Sequence, residues 1–301
     1  MQIAYSALGA GHAPLWTTAE AGLFAEEGLD AQVVFIKGSR GVADAVLAGQ
    51  VEFGHIAAPA AVESNLHGAD LVVITGALNT LIQRLITRSE IRAVGQLRGK
   101  TLGVGQDIDN RILRHLLPQH GLELEKDVAV RHIESQPDAI ERLEAGEIDG
   151  SLFSFPYAFE ATKRGYTFLV DCGHLKLDYQ LDGLVARRPL LEGQPDTTRR
   201  LVRAYVRGMH HYKTQPDFVV ASVLRKYSLI EDETIARQCY AALDRHFPRA
   251  PYPTLPGIQT ILEHLAERDP VARTAEPKTM IDERWVGELD ESGFIRELYA
   301  S

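Results

Sequence analysis

Little in this chain points to chemistry carried by special residues. Its 301 residues include two cysteines, Cys172 and Cys239, two tryptophans and three methionines. Two cysteines cannot form a disulfide framework, and spacing alone does not say whether they pair. Positive charge is in the minority, with 32 Lys and Arg against 41 Asp and Glu and a formal net charge of −9. A nucleic-acid binder ordinarily carries a basic stripe, so nucleic acid is not an expected partner. No apolar run approaches the roughly 18 residues of a membrane span, so membrane insertion is not expected. A Gly-x-Ser-x-Gly elbow, a Walker loop and a zinc-protease helix are missing too. Gly9-Ala10-Gly11 and Gly103-Val104-Gly105 lack the third glycine of a dinucleotide loop, and Lys37 stands where a ribose-binding acid is needed. His115 with His120, and His210-His211, lack metal-ligand spacing. No cofactor and no metal are expected.

What the chain does have is one pattern written twice. Ala48-Gly49-Gln50-Val51-Glu52 is followed by Pro59 and Glu63. Ala145-Gly146-Glu147-Ile148-Asp149 is followed at the same spacing by Pro156 and Glu160. Upstream of each lies an apolar, β-branched stretch, residues 31–36 and 127–133, after a Gly-Leu that closes a helical pattern. Two copies are too few for a solenoid. They imply two related α/β lobes, and a gap between lobes is a natural place for a small ligand.

The pattern predicts strands at Ile3–Ser6, 31–36, Phe53–Ile56 and Leu71–Thr75, with helices from about Pro14 to Glu27, Val42 to Ala48 and Pro59 to His67. In the second half it predicts strands at Lys100–Val104, 128–133 and Ser151–Phe153. A turn at Gly105–Asn110 and helices at Arg111–His120 and 137–145 complete that half. Alternation of this kind indicates βαβ units and mainly parallel sheets flanked by helices. Gly183–Ala186 reads as a return strand. From about Asp196 the chain is helical, with stripes Leu201, Ala204, Tyr205, Met209 and Ile258, Ile261, Leu262, Leu265. Pro248–Pro256 reads as a surface loop. The start, Met1-Gln2-Ile3-Ala4-Tyr5, enters a strand pattern without an export signal. The expected location is cytoplasmic if this is the native start, and periplasmic or extracytoplasmic if a leader has been removed.

Several segments together resemble a known family, the type 2 periplasmic binding proteins of the nitrate, taurine, aliphatic-sulfonate and thiamine-pyrimidine group. They are Gly11-His12-Ala13-Pro14-Leu15-Trp16 with Glu20-Ala21-Gly22-Leu23-Phe24, the two Ala-Gly motifs, Leu97-Arg98-Gly99-Lys100 and Leu289-Asp290-Glu291-Ser292-Gly293-Phe294. The resemblance implies a two-lobe fold with residues 1–80 and 183–301 in lobe I and 81–182 in lobe II. It implies a substrate-binding protein of an ABC transporter, with hinge closure on a small-molecule ligand and an ABC permease as partner. The same fold also hosts cytoplasmic enzymes, including pyrimidine synthase-like proteins, dehydratases and decarboxylases acting on small aromatic or carboxylated substrates.

Ligands in open α/β sheets sit at the carboxyl ends of strands. That rule selects Ser6, Gly11, His12, Gly38, Ser39, Arg40, His55, Ala57, Asn79 and Asp182 in lobe I. In lobe II it selects Gln106, Asp107, Asp109, Phe153, Phe155 and Tyr157. Each has an ordinary alternative. His12 can be a capping or surface histidine, His55 a satisfied core histidine, and Lys37 merely solvated. Ser39 sits where a helix begins and its hydroxyl and N–H groups are free to bind. Two carboxylates at 107 and 109 would repel a plain anion. One of them is expected to be a helix N-cap, the other an acceptor for an amine or ring N–H. A nitrogen-bearing or heteroaromatic ligand follows, with Phe153, Phe155 and Tyr157 placed to stack on it. For an enzyme, His12, His55 and Asp107 are the acid–base candidates.

Overall fold

The computed structural model describes residues 1–105 and 107–300, Asp107 by its backbone alone. The chain forms two compact units, Met1–Thr80 with the segment from Asp178 onward, and Leu81–Leu177.

In the first unit, strands β1 (Gln2–Tyr5), β2 (Gln32–Phe35), β3 (Phe53–Ala57), β4 (Leu71–Val73) and β5 (Leu78–Thr80) precede the helical half of the chain. In the second unit lie β6 (Arg84–Thr87), β7 (Thr101–Val104), β8 (Ala129–His132), β9 (Gly150–Phe153) and β10 (Thr167–Asp171). The chain then returns to the first unit through β11 (Asp178–Arg187). The first sheet has the order β2-β1-β3-β11-β4, with β5 also on β11; the second has the order β10-β6-β9-β7-β8.

The written-twice pattern is also a folded-twice pattern. In the first sheet β1 lies parallel between β2 and β3, and β11 runs antiparallel beside β3. In the second, β7 lies parallel between β8 and β9, and β6 runs antiparallel beside β9. Each sheet is therefore mixed: parallel where strand and helix alternate, antiparallel at the strands where the chain passes between units.

The physical content of the repeated motif is a helix stop followed by a strand clamp. Gly49 and Gly146 sit at φ 70 and 73, the left-handed region that glycine enters without penalty. Each closes its helix, Ser39–Leu47 or Gln136–Glu144, with the chain's next N–H reaching back to Ala45 or Arg142 carbonyl oxygen at 2.9 Å. The aliphatic residue, Val51 or Ile148, is buried. The acid then grips the first residue of the central strand. Glu52 Oε2 accepts from Gln2 N at 2.7 Å while Glu52 N donates to Gln2 O; Asp149 Oδ2 accepts from Thr101 N at 2.8 Å while Asp149 N donates to Thr101 O.

Three expectations shift. Strand β11 starts at Asp178 rather than Gly183 and pairs there with Thr80, so residues 178–182 belong to the first unit. The helix expected from Arg111 starts at Asp107 and ends at Leu116, because Asp109 Oδ2 accepts from Gly105 N and closes the turn within a few residues. The proline-rich loop is partly interior: Pro251 and Pro253 are buried. Gly76 N donates to Pro251 O at 2.8 Å, Asn79 Nδ2 to Tyr252 O at 2.8 Å, and Thr254 N to Gln180 Oε1 at 2.8 Å. The loop thus supplies acceptors and a donor that the short strands at this end of the sheet leave unpaired.

The long helix Pro195–Thr214 packs its stripe of Leu201, Ala204, Tyr205 and Met209 fully into the first unit. It crosses the helix Ala13–Glu20 so closely that a methyl group on Gly208 would collide with Thr18. This crossing fixes the height of Tyr205 above the sheet.

Candidate ligand-binding site

The parallel strands β1, β3 and β2 bring their carboxyl ends to one edge of the first sheet. The antiparallel β11 brings its first half to the same edge, with Asp182 opposite Ala57. Ser6, His12, Ser39, His55, Ala57 and Asp182 meet there.

His12 stands just before the helix Ala13–Glu20 but makes no capping bond, and it is buried. Pro14 lets the helix begin without a side-chain cap, since a proline has no N–H to satisfy. The His12 ring instead turns toward the sheet, where its Nδ1 lies 2.7 Å from Nδ1 of His55. His55 Nε2 lies 2.8 Å from the Tyr205 hydroxyl. At the other end His12 Nε2 makes a long contact of 3.4 Å with Ser6 Oγ. Ser39 Oγ lies 3.2 Å from Ser6 Oγ and accepts from Ala57 N at 3.3 Å. The Thr75 side chain lies beside Tyr205, and Thr75 Oγ1 accepts from Leu184 N at 3.0 Å. The result is a continuous polar row from a half-buried serine at the edge to the fully buried Tyr205.

Burial sets the electrostatics of this row. Withdrawal from water pushes the His12 pKa down to about 3 and that of His55 well below its ordinary value, with His12 contributing to the latter. Both rings are neutral near pH 7.

Asp182 is the unusual member. Its carboxyl sits against Gly11, where a methyl group would collide with Oδ2. Desolvation raises its pKa to about 7. Among the described residues no donor reaches this carboxyl. The carboxyl is half-buried rather than sealed, so a donor from outside the chain can reach it.

An aromatic face adjoins the polar row. Tyr5 meets Trp16 edge-on at 5.3 Å and Phe35 at 5.4 Å, and Trp16 stacks on Tyr227 at 5.1 Å and 11°. Tyr227 donates to Glu20 Oε1 at 2.6 Å, and Lys226 reaches the same oxygen at 2.7 Å. Phe35, at the end of β2, is 47% exposed.

The remaining candidates lie apart or are engaged. Gly38, at φ 83, donates to Ser6 O at 2.8 Å and turns the chain into the helix that Ser39 begins. Arg40 is exposed and paired with Asp44 at 3.0 Å, and Lys37 is exposed. Asn79 anchors the proline-rich loop. In the second unit Asp109, the third residue of the helix Asp107–Leu116 rather than its N-cap, accepts from Gly105 N at 3.0 Å. Gln106 and the Asp107 side chain lie outside the described residues. Phe153 is buried. Phe155, expected to offer its face to a ligand, stacks on Phe159 at 5.0 Å and lies under the Arg84 guanidinium at 4.7 Å. Tyr157 is half-buried at the start of the helix Tyr157–Lys163. Sequence reasoning did not select Tyr205 or Thr75 for the site. Tyr205 lies on an apolar helical stripe, and nothing in that pattern tells where its hydroxyl ends.

Two mixed α/β units with this duplicated topology define a class of two-domain α/β protein. Residues 10–218 match the NMT1/THI5-like family, and the chain belongs to it. Solved structures agree in fold. The ligand-binding component of an ABC-type import system from Staphylococcus aureus, with zinc bound, superimposes with a TM-score of 0.77 at 14% identity over 96% of this chain and 98% of that one. The periplasmic aliphatic sulphonate binding protein SsuA from Escherichia coli gives 0.77 at 16% identity over 94% and 92%. The desulfurization enzyme DSZB gives 0.71 at 17% identity over 95% and 98%. No curated protein sequence matches the chain closely enough to add a relative.

Proposed function

We propose that this protein is a solute-binding protein that captures a small organic molecule carrying an N–H donor and delivers it to an ABC-type importer. The observation that carries the reading is the Asp182 carboxyl, placed at the strand-end edge beside Gly11 with no donor of its own. A ligand amine or ring N–H satisfies it, while the nearby aromatic face of Tyr5 and Phe35 suits a flat ring. The similar ligand-binding components of import systems support delivery to a permease. The same likeness supports a working location outside the cytoplasm.

The family fold also carries an enzyme, and the paired histidines at first suggest acid–base work. A general acid must hold a proton near the working pH. His12, buried and with its pKa pushed down to about 3, is a weak base and has no imidazolium proton to give. Binding without turnover is the better reading. Calorimetric titration with a panel of small heteroaromatic amines tests it. Saturable binding that is lost in Asp182→Ala, with the ligand recovered unchanged, supports the reading. Equal binding in the variant, or chemical conversion of the ligand, overturns it.

A further inference from the structure

The row that runs from Ser39 to Tyr205 has a property beyond holding the site in place. The Nδ1 atoms of His12 and His55 are 2.7 Å apart. Two protons in that gap would clash and none would leave two lone pairs opposed, so it holds one. Each neutral imidazole carries a single N–H, which makes the two tautomers interdependent. If His12 holds its proton on Nδ1, His55 must hold its own on Nε2 and donate to the Tyr205 oxygen. If His55 holds its proton on Nδ1, Tyr205 must donate to His55 Nε2, and His12 carries Nε2–H toward Ser6.

The groups at both ends continue this logic. Ala57 N is a fixed donor to Ser39 Oγ at one end. Inward from it, Ser39, Ser6, His12, His55 and Tyr205 each have one proton that can point either way. In the first arrangement every proton points inward, and Ser39 keeps a lone pair for a donor outside. In the second every proton points outward, and Ser39 O–H is free to donate.

We infer that Tyr205 is a positioning residue that sets, through the coupled tautomers of His55 and His12, whether the serine end of the row offers a bound molecule an acceptor or a donor. A third proton on the two rings would break the coupling by making one of them cationic. Their burial opposes that, with the pKa of each well below the ordinary histidine value. The statement about a bound molecule rests on reading this sheet edge as the ligand site; the coupling of the tautomers does not.

The test reads ring nitrogens directly and needs no ligand. A lone buried donor is tolerated less well than a lone acceptor. Ser6→Ala leaves His12 Nε2 without a partner, so this nitrogen goes bare, and His12 Nδ1–H with His55 Nε2–H results. Tyr205→Phe leaves His55 Nε2 without a partner, and the opposite pair, His55 Nδ1–H with His12 Nε2–H, results. Nitrogen-15 spectra of the histidine-labelled full chain at neutral pH are expected to show both rings exchanging protonated and bare nitrogens between the two variants. The same pattern in both variants overturns the inference. So do matching tautomers on His12 and His55 within one variant, or a cationic ring. Circular dichroism checks folding. Should Tyr205→Phe not fold, Tyr205→Met takes its place, because it too removes the partner of His55 Nε2 and the same pattern is expected. Failure of a ligand titration leaves this result standing, and a negative result here leaves the titration interpretable.

Discussion

The carboxyl group of Asp182 fills the space that any side chain on residue 11 would need. Gly11 leads into the first helix and Asp182 lies on the returning strand, so two distant segments share one volume at the sheet edge. Gly11→Ala is expected to push the carboxyl aside, weaken ligand binding and cost about 1–3 kcal/mol in stability through overpacking. In an Asp182→Ala background the same change should cost less, because the colliding group is gone. A double-mutant cycle in urea measures this coupling. Additive costs would mean the two residues do not compete for the space.

Asp182 also sets a pH dependence opposite in sign to that of the histidines. Its folded pKa of about 7 exceeds the ordinary value of 3.8, so the folded state binds more protons through that window. Its contribution to stability is complete below the ordinary value and falls away as pH rises toward 7, by at most about 1.4 kcal/mol per pH unit. His12, pushed from 6.5 to about 3, and His55, also lowered, act the other way. Their contribution is complete above 6.5 and is lost as pH falls. Between about pH 4 and 6.5 the carboxyl therefore offsets part of the histidine penalty. Asp182→Asn should lose stability more steeply than the parent on going from pH 6.5 to 4.5, by urea midpoints. Parallel profiles would show that the Asp182 pKa is not raised.

The histidines illustrate what was legible in the sequence. Their position at strand ends follows from periodicity and turn residues, because a short parallel strand can only deliver its last side chains to one edge. His12 as a helix cap was the wrong ordinary alternative: Pro14 makes a cap unnecessary, and the ring is free to face His55. Tyr205 was legible as core but not as a hydrogen-bond partner, since helical period fixes a side chain's face and not the atom it meets across 150 residues. Asp182 lay among the candidates for its place at the return strand. Its importance comes from Gly11, and no local pattern joins the two. The repeated Ala-Gly motifs were read as marks of duplication. Their acids prove to hold strands rather than ligands.

That role of the motif acids is testable by unfolding. Glu52 and Asp149 each accept from the first N–H of a central strand. Asp149 is the more enclosed, with its side chain 23% exposed, and it also lies 3.8 Å from Lys100. Asp149→Ala is expected to cost about 1.5–3 kcal/mol, as for a hydrogen bond to a charged group, and Glu52→Ala less because water can replace the bond. Neither should change ligand affinity, because both acids lie at the amino ends of the strands. Loss of binding in Glu52→Ala without loss of folding would show that the edge and the clamp are coupled.

Tyr205 is held at its height by the crossing of its helix over Ala13–Glu20, and Gly208 permits that crossing. A methyl group on Gly208 would meet Thr18 Oγ1 and would also lie 3.1 Å from the Pro14 carbonyl oxygen. Thr18 itself donates to that carbonyl at 2.7 Å, so it has little room to move. Gly208→Ala must separate the helices, lifting Tyr205 from His55 and loosening the packing around Met209. A cost of about 1–3 kcal/mol is expected. Helix propensity alone predicts the reverse, a gain of about 1 kcal/mol from replacing glycine inside a helix. The sign of the change in thermal midpoint decides between the two. A stabilised Gly208→Ala protein would mean that the crossing yields easily and does not position Tyr205.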